Sequence, residues 1–373
     1  MTSAKARYIM IGGFLGAGKT TAVAALARSL TDRGLRVGLI TNDQSTQLVD
    51  SAVLRAHGFA VEEIAGGCFC CRFDSLNDAA RRLTDQTRPD VFIAEPVGSC
   101  TDLVATVSYP LRRIYGHDFS IAPLSVMVDP VRAARILGLA EGRSFSPKVV
   151  YVYEKQLEEA DIIVINKIDV FADADREPLE RELRARFPRA RVLACSARHG
   201  DGLERWFEEI RDAECDVSPT MALDYDRYAE GEALLGWLNC SVHVEAAAVV
   251  DGNALLMELT KEISARLEAH SAEIAHLKLT LDSEDHGQGL AVVSLVRGGE
   301  VPDLRESLLG SVKVGTLILN LRAEADPSRL RDATEAALED TSRRHSGLSL
   351  TITHLEHFRP GRPEPTHRMA VAG

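Results

Sequence analysis

The chain has 373 residues, 45% hydrophobic and 26% charged, with 43 basic against 55 acidic side chains and a net charge of −12. This describes a globular protein of about two fully cored domains and excludes a broad nucleic-acid-binding face. No apolar run approaches the roughly 18 residues of a membrane helix, so no membrane partner and a cytoplasmic location are expected, and seven cysteines, three of them within four positions, do not read as a disulfide framework.

Lys5 and Arg7 ahead of the apolar stretch from Tyr8 to Gly18 mimic a short signal peptide. A phosphate-binding loop explains that stretch better. Arg7 to Ile11 reads as a buried strand and leads into Gly13-Phe14-Leu15-Gly16-Ala17-Gly18-Lys19-Thr20, a match to GxxxxGKT at every fixed position. Val23, Leu26, Ala27 and Leu30 then recur at helical spacing. Glycines let successive N–H groups turn inward on a β-phosphate, and the helix N-terminus adds its positive end. Gly13, Gly16, Ala17, Gly18, Lys19, Thr20 and Thr21 are the binding residues so predicted, with Lys19 reaching the β- and γ-phosphates and Thr20 ligating Mg²⁺.

Arg36 to Thr41 reads as a second parallel strand, which puts Asn42 and Asp43 at its carboxyl end, where open α/β sheets bind ligands. Asp43 there holds the Mg²⁺ shell or orients the attacking water, or is a plain turn residue. Leu48, Val49, Val53 and Leu54 predict helix within Gln44 to Glu63, with His57-Gly58 as a stop signal, and this segment joins two candidate loops. Next comes Gly66-Gly67-Cys68-Phe69-Cys70-Cys71. Three adjacent thiols oxidise readily and lie close enough to share one soft metal ion. Cys68, Cys70 and Cys71 supply at most three thiolates; a fourth ligand from Glu63, His57, Cys100 or water suits an exchangeable site. Redox chemistry and buried small side chains are the competing readings.

Asp90 to Ala94 is a third strand, ending in Glu95-Pro96-Val97-Gly98. This is an ExxG loop in which Glu95 meets Mg²⁺ or its water and the Gly98 N–H meets the γ-phosphate. Leu124 to Val128 reads as another strand ending at Asp129-Pro130, Tyr151 to Glu159 as a helix, and Asp161 to Ile165 as the strand that delivers Asn166-Lys167-Ile168-Asp169. In NKxD the Asp carboxylate accepts the N1–H and N2–H of guanine, which adenine cannot match, so GTP is expected over ATP. Val192 to Ala194 closes the sheet, and Ser196 and Ala197 form the small loop for guanine O6.

Together GFLGAGKTT at 13–21, Asn42-Asp43, GGCFCC at 66–71, Glu95-x-x-Gly98, Gln156, NKID at 166–169 and Ser196-Ala197 resemble the CobW-like family of P-loop GTPases, over roughly residues 7–210. The resemblance implies an α/β P-loop NTPase fold of SIMIBI type, with helices on both faces of a mostly parallel sheet. It also implies a slow GTPase using GTP and Mg²⁺ that carries zinc or cobalt to a client metalloprotein or cobalamin-related enzyme. Relatives often dimerise, so a homodimer is possible. The chain departs from the family where Gln44-Ser45 replaces the usual Phe-Gly, where Glu95-Pro96-Val97-Gly98 replaces Glu-Thr-Thr-Gly, and in lacking a histidine-rich stretch, which marks a divergent subgroup.

Residues 1–214 form the expected GTPase domain, 215–236 a linker and 237–358 a smaller α+β, ferredoxin-like domain, with 359–373 a proline-bearing tail read as disordered. Within the second domain His354 and His357 read as surface histidines. Two functions are weighed against metal delivery. One is a regulatory G-protein gating a corrinoid-dependent methyltransferase, with CxCC as a structural clip; the other is an ATP-dependent kinase, against which NKID argues.

Overall fold

Apolar strands alternating with amphipathic helices call for crossover connections, and hence for a parallel sheet covered on both faces. The computed structural model describes residues 5–42, 49–213, 220–284, 287 and 289–370. Asp43, Gln44 and residues 214–219 at the expected boundary lie outside them. Contacts divide the chain into two units: Met1–Thr46, His57–Gly231 and Arg362–Gly373 form one, Gln47–Ala56 and Glu232–Gly361 the other.

In the first unit, β1 (Ala6–Gly13), β2 (Val37–Asn42), β3 (Ala60–Ile64), β4 (Val91–Glu95), β5 (Phe119–Ile121), β6 (Ser125–Val128), β7 (Ile162–Ile165) and β8 (Arg191–Ala194) form one sheet. Its order is β3-β2-β4-β1-β6-β7-β8, with β5 also pairing β1, and every ladder is parallel. β1 is therefore central, and the loops leaving the carboxyl ends of β1, β2, β4 and β7 gather at one edge of the sheet. Ile9, Ile11, Ile93, Ile163 and Ile165 are fully buried in this sheet, each contributing about 1.5–3 kcal/mol through burial. Truncating Ile93 to Ala would cost about 2–5 kcal/mol.

The helix expected within Gln44 to Glu63 is confined, among the described residues, to Val49–Ala56. Gly58, at φ 84°, ends it, and Ala60–Ile64 pairs alongside β2 as an edge strand with Glu63 opposite Thr41. The reason is local: apolar residues at helical spacing stop at Leu54, and the sequence Phe59-Ala60-Val61 reopens as extended chain.

The second unit holds β9 (Leu235–Val250), β10 (Glu273–Ser283), β11 (Leu290–Leu295), β12 (Asp303–Glu306), β13 (Val312–Glu324) and β14 (Leu348–Phe358) in the order β12-β11-β10-β13-β9-β14, all antiparallel. The helices Gly252–Ala269 and Pro327–Arg344 connect β9 to β10 and β13 to β14, giving the ferredoxin-like βαββαβ connectivity with β11 and β12 added at one edge. Their starts are written in the sequence. Asp251 caps the first through the N–H groups of Asn253 and Ala254, and Asp326 caps the second through Ser328, with Pro327 in the first turn. Leu256, Leu259, Ile263, Leu330 and Ala337 from these helices are buried with Leu277, Leu279, Leu317 and Leu319 from the sheet. The helix Val49–Ala56 belongs to this unit: the Val49 N–H donates to Asn320 Oδ1 at 2.9 Å and Lys278 pairs with Asp50 at 2.6 Å.

Two segments differ from expectation. The stretch expected as linker carries the helix Tyr225–Leu234, and β9 begins at Leu235. Residues 362–370, expected to lack order, run along the first unit with the Glu364, Thr366 and Met369 N–H groups paired, as described below.

Candidate nucleotide and thiol sites

β1 feeds the glycine loop directly into the helix Lys19–Asp32. Gly18 sits at φ 93°, and a Cβ there would stand 2.3 Å from Asn166 Nδ2, so both conformation and space demand glycine. Asn166 joins two loops: its Nδ2 donates to the Ala17 carbonyl at 2.9 Å and its Oδ1 accepts the Ala197 N–H at 2.9 Å. Lys167 follows at φ 59° and reaches over the phosphate loop to the Gly16 carbonyl at 2.7 Å and to Asp129 at 2.8 Å. The Lys19 amine lies in the curl of the loop, donating to the Gly13 carbonyl at 2.9 Å. Thr21 is half-buried in the first turn of the helix.

The Thr20 hydroxyl donates to Glu95 Oε1 at 3.0 Å, and Glu95 is buried. A hydroxyl and a carboxylate so placed, facing a phosphate loop, fit the oxygen-only demand of Mg²⁺. Past Glu95, the loop packs against the glycine loop: a Cβ on Gly98 would lie 2.8 Å from Leu15 Cδ2 and 3.0 Å from the Leu15 nitrogen. The Gln156 amide clamps this loop, donating to the Gly98 carbonyl at 2.9 Å and the Cys100 carbonyl at 2.8 Å. On the base side, Asp169 lies in the short turn Ile168–Val170 with His199 Nε2 at 3.7 Å, and Ser196 Oγ accepts the His199 N–H at 3.1 Å.

Sequence reading missed two supports of the phosphate loop. Asp129 caps the helix Pro130–Ile136 and holds Lys167; its signal was an acid-proline pair closing an apolar strand. Arg132 is buried, donates to the Leu15 carbonyl, and places its guanidinium 5.6 Å from the Phe14 ring centre and 5.2 Å from that of Phe145. No sequence pattern announced it.

The second site is the turn that precedes the helix Phe73–Thr87. Cys71 and Arg72 N–H groups both bond the Cys68 carbonyl, at 3.0 and 2.9 Å, which folds the three thiols onto one side. Cys68 Sγ lies 2.7 Å from Cys70 Sγ and 3.1 Å from Cys71 Sγ, with 3.7 Å between the latter two. Cys68 and Cys70 are buried and Cys71 partly exposed. Hydrogen bonds from the Cys100, Cys70 and Cys71 thiols hold Cys68 well below the usual thiol range against the opposing cost of burial. Bonding to Cys68 and burial push Cys70 up, and Cys71 is pushed up to about 11, chiefly by the same neighbour. The three thiols thus share one hydrogen-bonded cluster in the turn that leads into the helix Phe73–Thr87.

Among the described residues, Cys68, Cys70 and Cys71 are the ligand-bearing group whose donor atoms all lie within 4.8 Å of one another, and none of Glu63, His57 and Cys100 joins it. A Zn–S bond of about 2.3 Å in a tetrahedron needs sulfurs about 3.8 Å apart, so these three fit a soft ion after spreading by about 1 Å or less. Asn42 anchors the loop, donating to the Ile64 and Gly67 carbonyls at 3.0 and 2.7 Å. Residues 362–370 lie across it. The Thr366 N–H donates to the Cys70 carbonyl at 2.9 Å, the Glu364 N–H to Cys71 Sγ at 3.3 Å and the Thr366 hydroxyl to the Cys71 carbonyl at 3.3 Å. Further along, His367 meets the Phe73 ring edge-on at 5.0 Å, Arg368 pairs with buried Asp102 at 2.7 Å, and the Met369 N–H bonds the Ala105 carbonyl at 2.9 Å.

A parallel sheet with a glycine loop at the end of its central strand, and an Asn-Lys-x-Asp loop beside it, defines a P-loop nucleotide-binding protein. Residues 7–194 match the family described as CobW/HypB/UreG, nucleotide-binding domain, and the chain belongs to that family. It is 27% identical over 228 residues to the zinc chaperone CobW of a Sinorhizobium species, covering 54% of this chain and 63% of that one. It is also 29% identical over 178 residues to the zinc chaperone YeiR of Escherichia coli K12, covering 47% of this chain and 50% of the relative. The match thus spans between half and two thirds of those relatives. Among solved structures, the Zn(II)-bound YjiA GTPase from E. coli aligns over 90% of this chain and 99% of its own, at 17% identity and a TM-score of 0.38.

Proposed function

We propose that the protein is a GTP-hydrolysing metallochaperone that carries a transition metal, zinc before cobalt, on Cys68, Cys70 and Cys71 and passes it to a client metalloprotein. The observation that carries this reading is the three-thiol cluster, with Cys68 Sγ 2.7 Å from Cys70 Sγ and 3.1 Å from Cys71 Sγ, tied through Asn42 to the carboxyl end of β2. Whatever shifts the end of β2 is felt at the thiols. The zinc chaperones among its relatives support zinc as cargo.

Lys19, with the backbone of Gly13, Gly16, Ala17, Gly18 and Thr21, holds the phosphates; Gly98 meets the γ-phosphate. Asp169, Asn166, Lys167, Ser196 and Ala197 select and frame guanine. Thr20 and Glu95, with Asp43, would hold Mg²⁺, which supplies charge neutralisation on the β- and γ-oxygens. Asp43 and Glu95 orient the attacking water, which makes them the catalytic residues together with Lys19. The nucleotide state then sets the geometry of the thiol loop.

The test is zinc affinity by chelator competition under reducing conditions, with a non-hydrolysable GTP analogue, with GDP and without nucleotide. Linkage requires zinc to change GTP affinity by the same factor that GTP changes zinc affinity. Equal affinity in all three states would refute nucleotide control. Retention of zinc by a Cys68/Cys70/Cys71 triple Ser variant would refute the thiol site, and would favour a regulatory G-protein instead.

A further inference from the structure

Arg132 sits in the first turn of the helix Pro130–Ile136, 117 residues along the chain from the loop residue that it holds. It is 4% exposed, and its guanidinium donates to the Leu15 carbonyl beside the rings of Phe14 and Phe145. The Arg132 backbone N–H donates to Asp129 Oδ1 at 3.0 Å, while Asp129 Oδ2 holds Lys167 at 2.8 Å. One carboxylate thus orders two cations, and both end on the phosphate loop. Lys167 takes the Gly16 carbonyl at 2.7 Å and Arg132 the Leu15 carbonyl, and Asn166 takes the Ala17 carbonyl at 2.9 Å, so three consecutive loop carbonyls are bound. The loop after Glu95 packs on the same residue as Arg132, since a Cβ on Gly98 would stand 3.0 Å from the Leu15 nitrogen.

Resting on the nucleotide reading above, we propose that Arg132 is a positioning residue for the β-phosphate: by holding the Leu15 carbonyl it aims the Gly16 N–H at a guanosine di- or triphosphate. In a trans peptide the carbonyl of one residue and the N–H of the next point in opposite directions. Fixing the Leu15 oxygen on Arg132 therefore turns the Gly16 N–H away from Arg132. A released peptide plane rotates easily here, because Gly16, at φ 78°, has no Cβ to restrain it. Half a turn of that plane replaces a donor with a carbonyl oxygen, which repels the anion that the loop is built to hold. Arginine suits the position better than lysine. Its weakly hydrated, planar charge is buried at lower cost, packs on aromatic faces and still donates from its edge.

The experiment uses the full-length protein with Mg²⁺ and compares GDP with GMP, which lacks the β-phosphate, by displacement of a fluorescent guanine nucleotide. R132M keeps an extended side chain without its donors. GDP affinity should fall about 10–100-fold, the worth of one hydrogen bond from a charged group, while GMP affinity holds. R132K keeps the charge without the planar fork and should fall between. Equal losses for GDP and GMP would mean that Arg132 only supports the fold around the loop, and wild-type GDP affinity in both variants would mean that the loop orients itself; either result overturns the assignment. In the wild type, GDP but not GMP should move the Gly16 amide proton resonance downfield. A Gly16 resonance that ignores GDP overturns the assignment even where neither variant folds. A wild type that binds neither GDP nor GTP overturns the nucleotide reading as well.

Discussion

Asn42 at the end of β2 fixes the middle of the thiol loop through Phe69: Asn42 Oδ1 accepts the Phe69 N–H at 2.9 Å while its Nδ2 holds the carbonyls on either side of the turn's entry. Asn42 immediately precedes Asp43, so the residue before a proposed Mg²⁺ and water position is also the post to which the cysteines are tied. In N42A the Phe69 N–H and two carbonyls lose a buried partner, each costing about 1–3 kcal/mol where water cannot replace it. The expected outcome is a tenfold or greater loss of zinc affinity and faster alkylation of Cys68, read by mass spectrometry. N42D keeps the acceptor but not the donors and should fall between. Alkylation at the wild-type rate in both variants would show that the loop holds itself.

Arg368 anchors residues 362–370 to Asp102, which also accepts the Tyr225 hydroxyl at 2.7 Å and is buried at φ 65°. Replacing Arg368 by Ala leaves that carboxylate with less compensation. Since the arginine itself is about one-third exposed, the cost should stay below the roughly 3–5 kcal/mol of a fully buried pair. With the anchor gone, the Glu364 N–H drifts from Cys71, the partly exposed thiol. Cys71 should then be alkylated several-fold faster while buried Cys68 and Cys70 change little, and bound zinc should pass to a chelator more quickly. R368K should restore part of the protection. Equal Cys71 reactivity in wild type and R368A would mean that this segment shields nothing.

The nucleotide loops were legible because their residues are contiguous and their chemistry needs fixed types at fixed spacing: GFLGAGKT and NKID each fall within eight residues. The thiol cluster was legible for the same reason. What escaped was what joins distant segments. Asn42 reaches Phe69 across 27 positions, and Arg132 reaches Leu15 across 117. Residues 362–370 escaped more completely, because Glu364, Thr366 and Met369 make their contacts through backbone N–H groups, which leave no mark on side-chain pattern. Proline and charge in that stretch are as compatible with an extended ordered segment as with disorder. The edge strand β3, which follows the His57-Gly58 stop, escaped because its two glutamates interrupt the alternation that marks strands.

Asp169 is expected to set base choice. Guanine offers two N–H donors to its carboxylate, and hydrogen bonds to a charged group are worth about 1.5–3 kcal/mol each. D169N presents an amide that matches xanthine instead. GTP affinity should fall by roughly 100-fold or more, on the same energies, and affinity for xanthosine triphosphate should rise, both measured by displacement of a fluorescent nucleotide. Unchanged GTP binding, or a gain for ATP, would remove Asp169 from the base pocket.

Glu159 gives the first unit a pH dependence. Its carboxyl is buried, accepts the Val104 N–H at 3.0 Å and the Thr101 hydroxyl at 3.2 Å, and lies near Asp102. Burial, reinforced by Asp102 and only partly offset by the two donors, pushes it up to about 8 from an ordinary value of 4.5. The native state therefore keeps a proton that the unfolded chain has lost. Stability from this group is full below about pH 4.5, declines as pH rises from there to about 8, and is level beyond. The slope approaches about 1.4 kcal/mol per pH unit in that window. E159Q is neutral at every pH, so urea unfolding midpoints at pH 5, 6.5 and 8 should fall less steeply with pH in the variant than in the wild type. Parallel profiles would show that Glu159 ionises as an ordinary carboxylate.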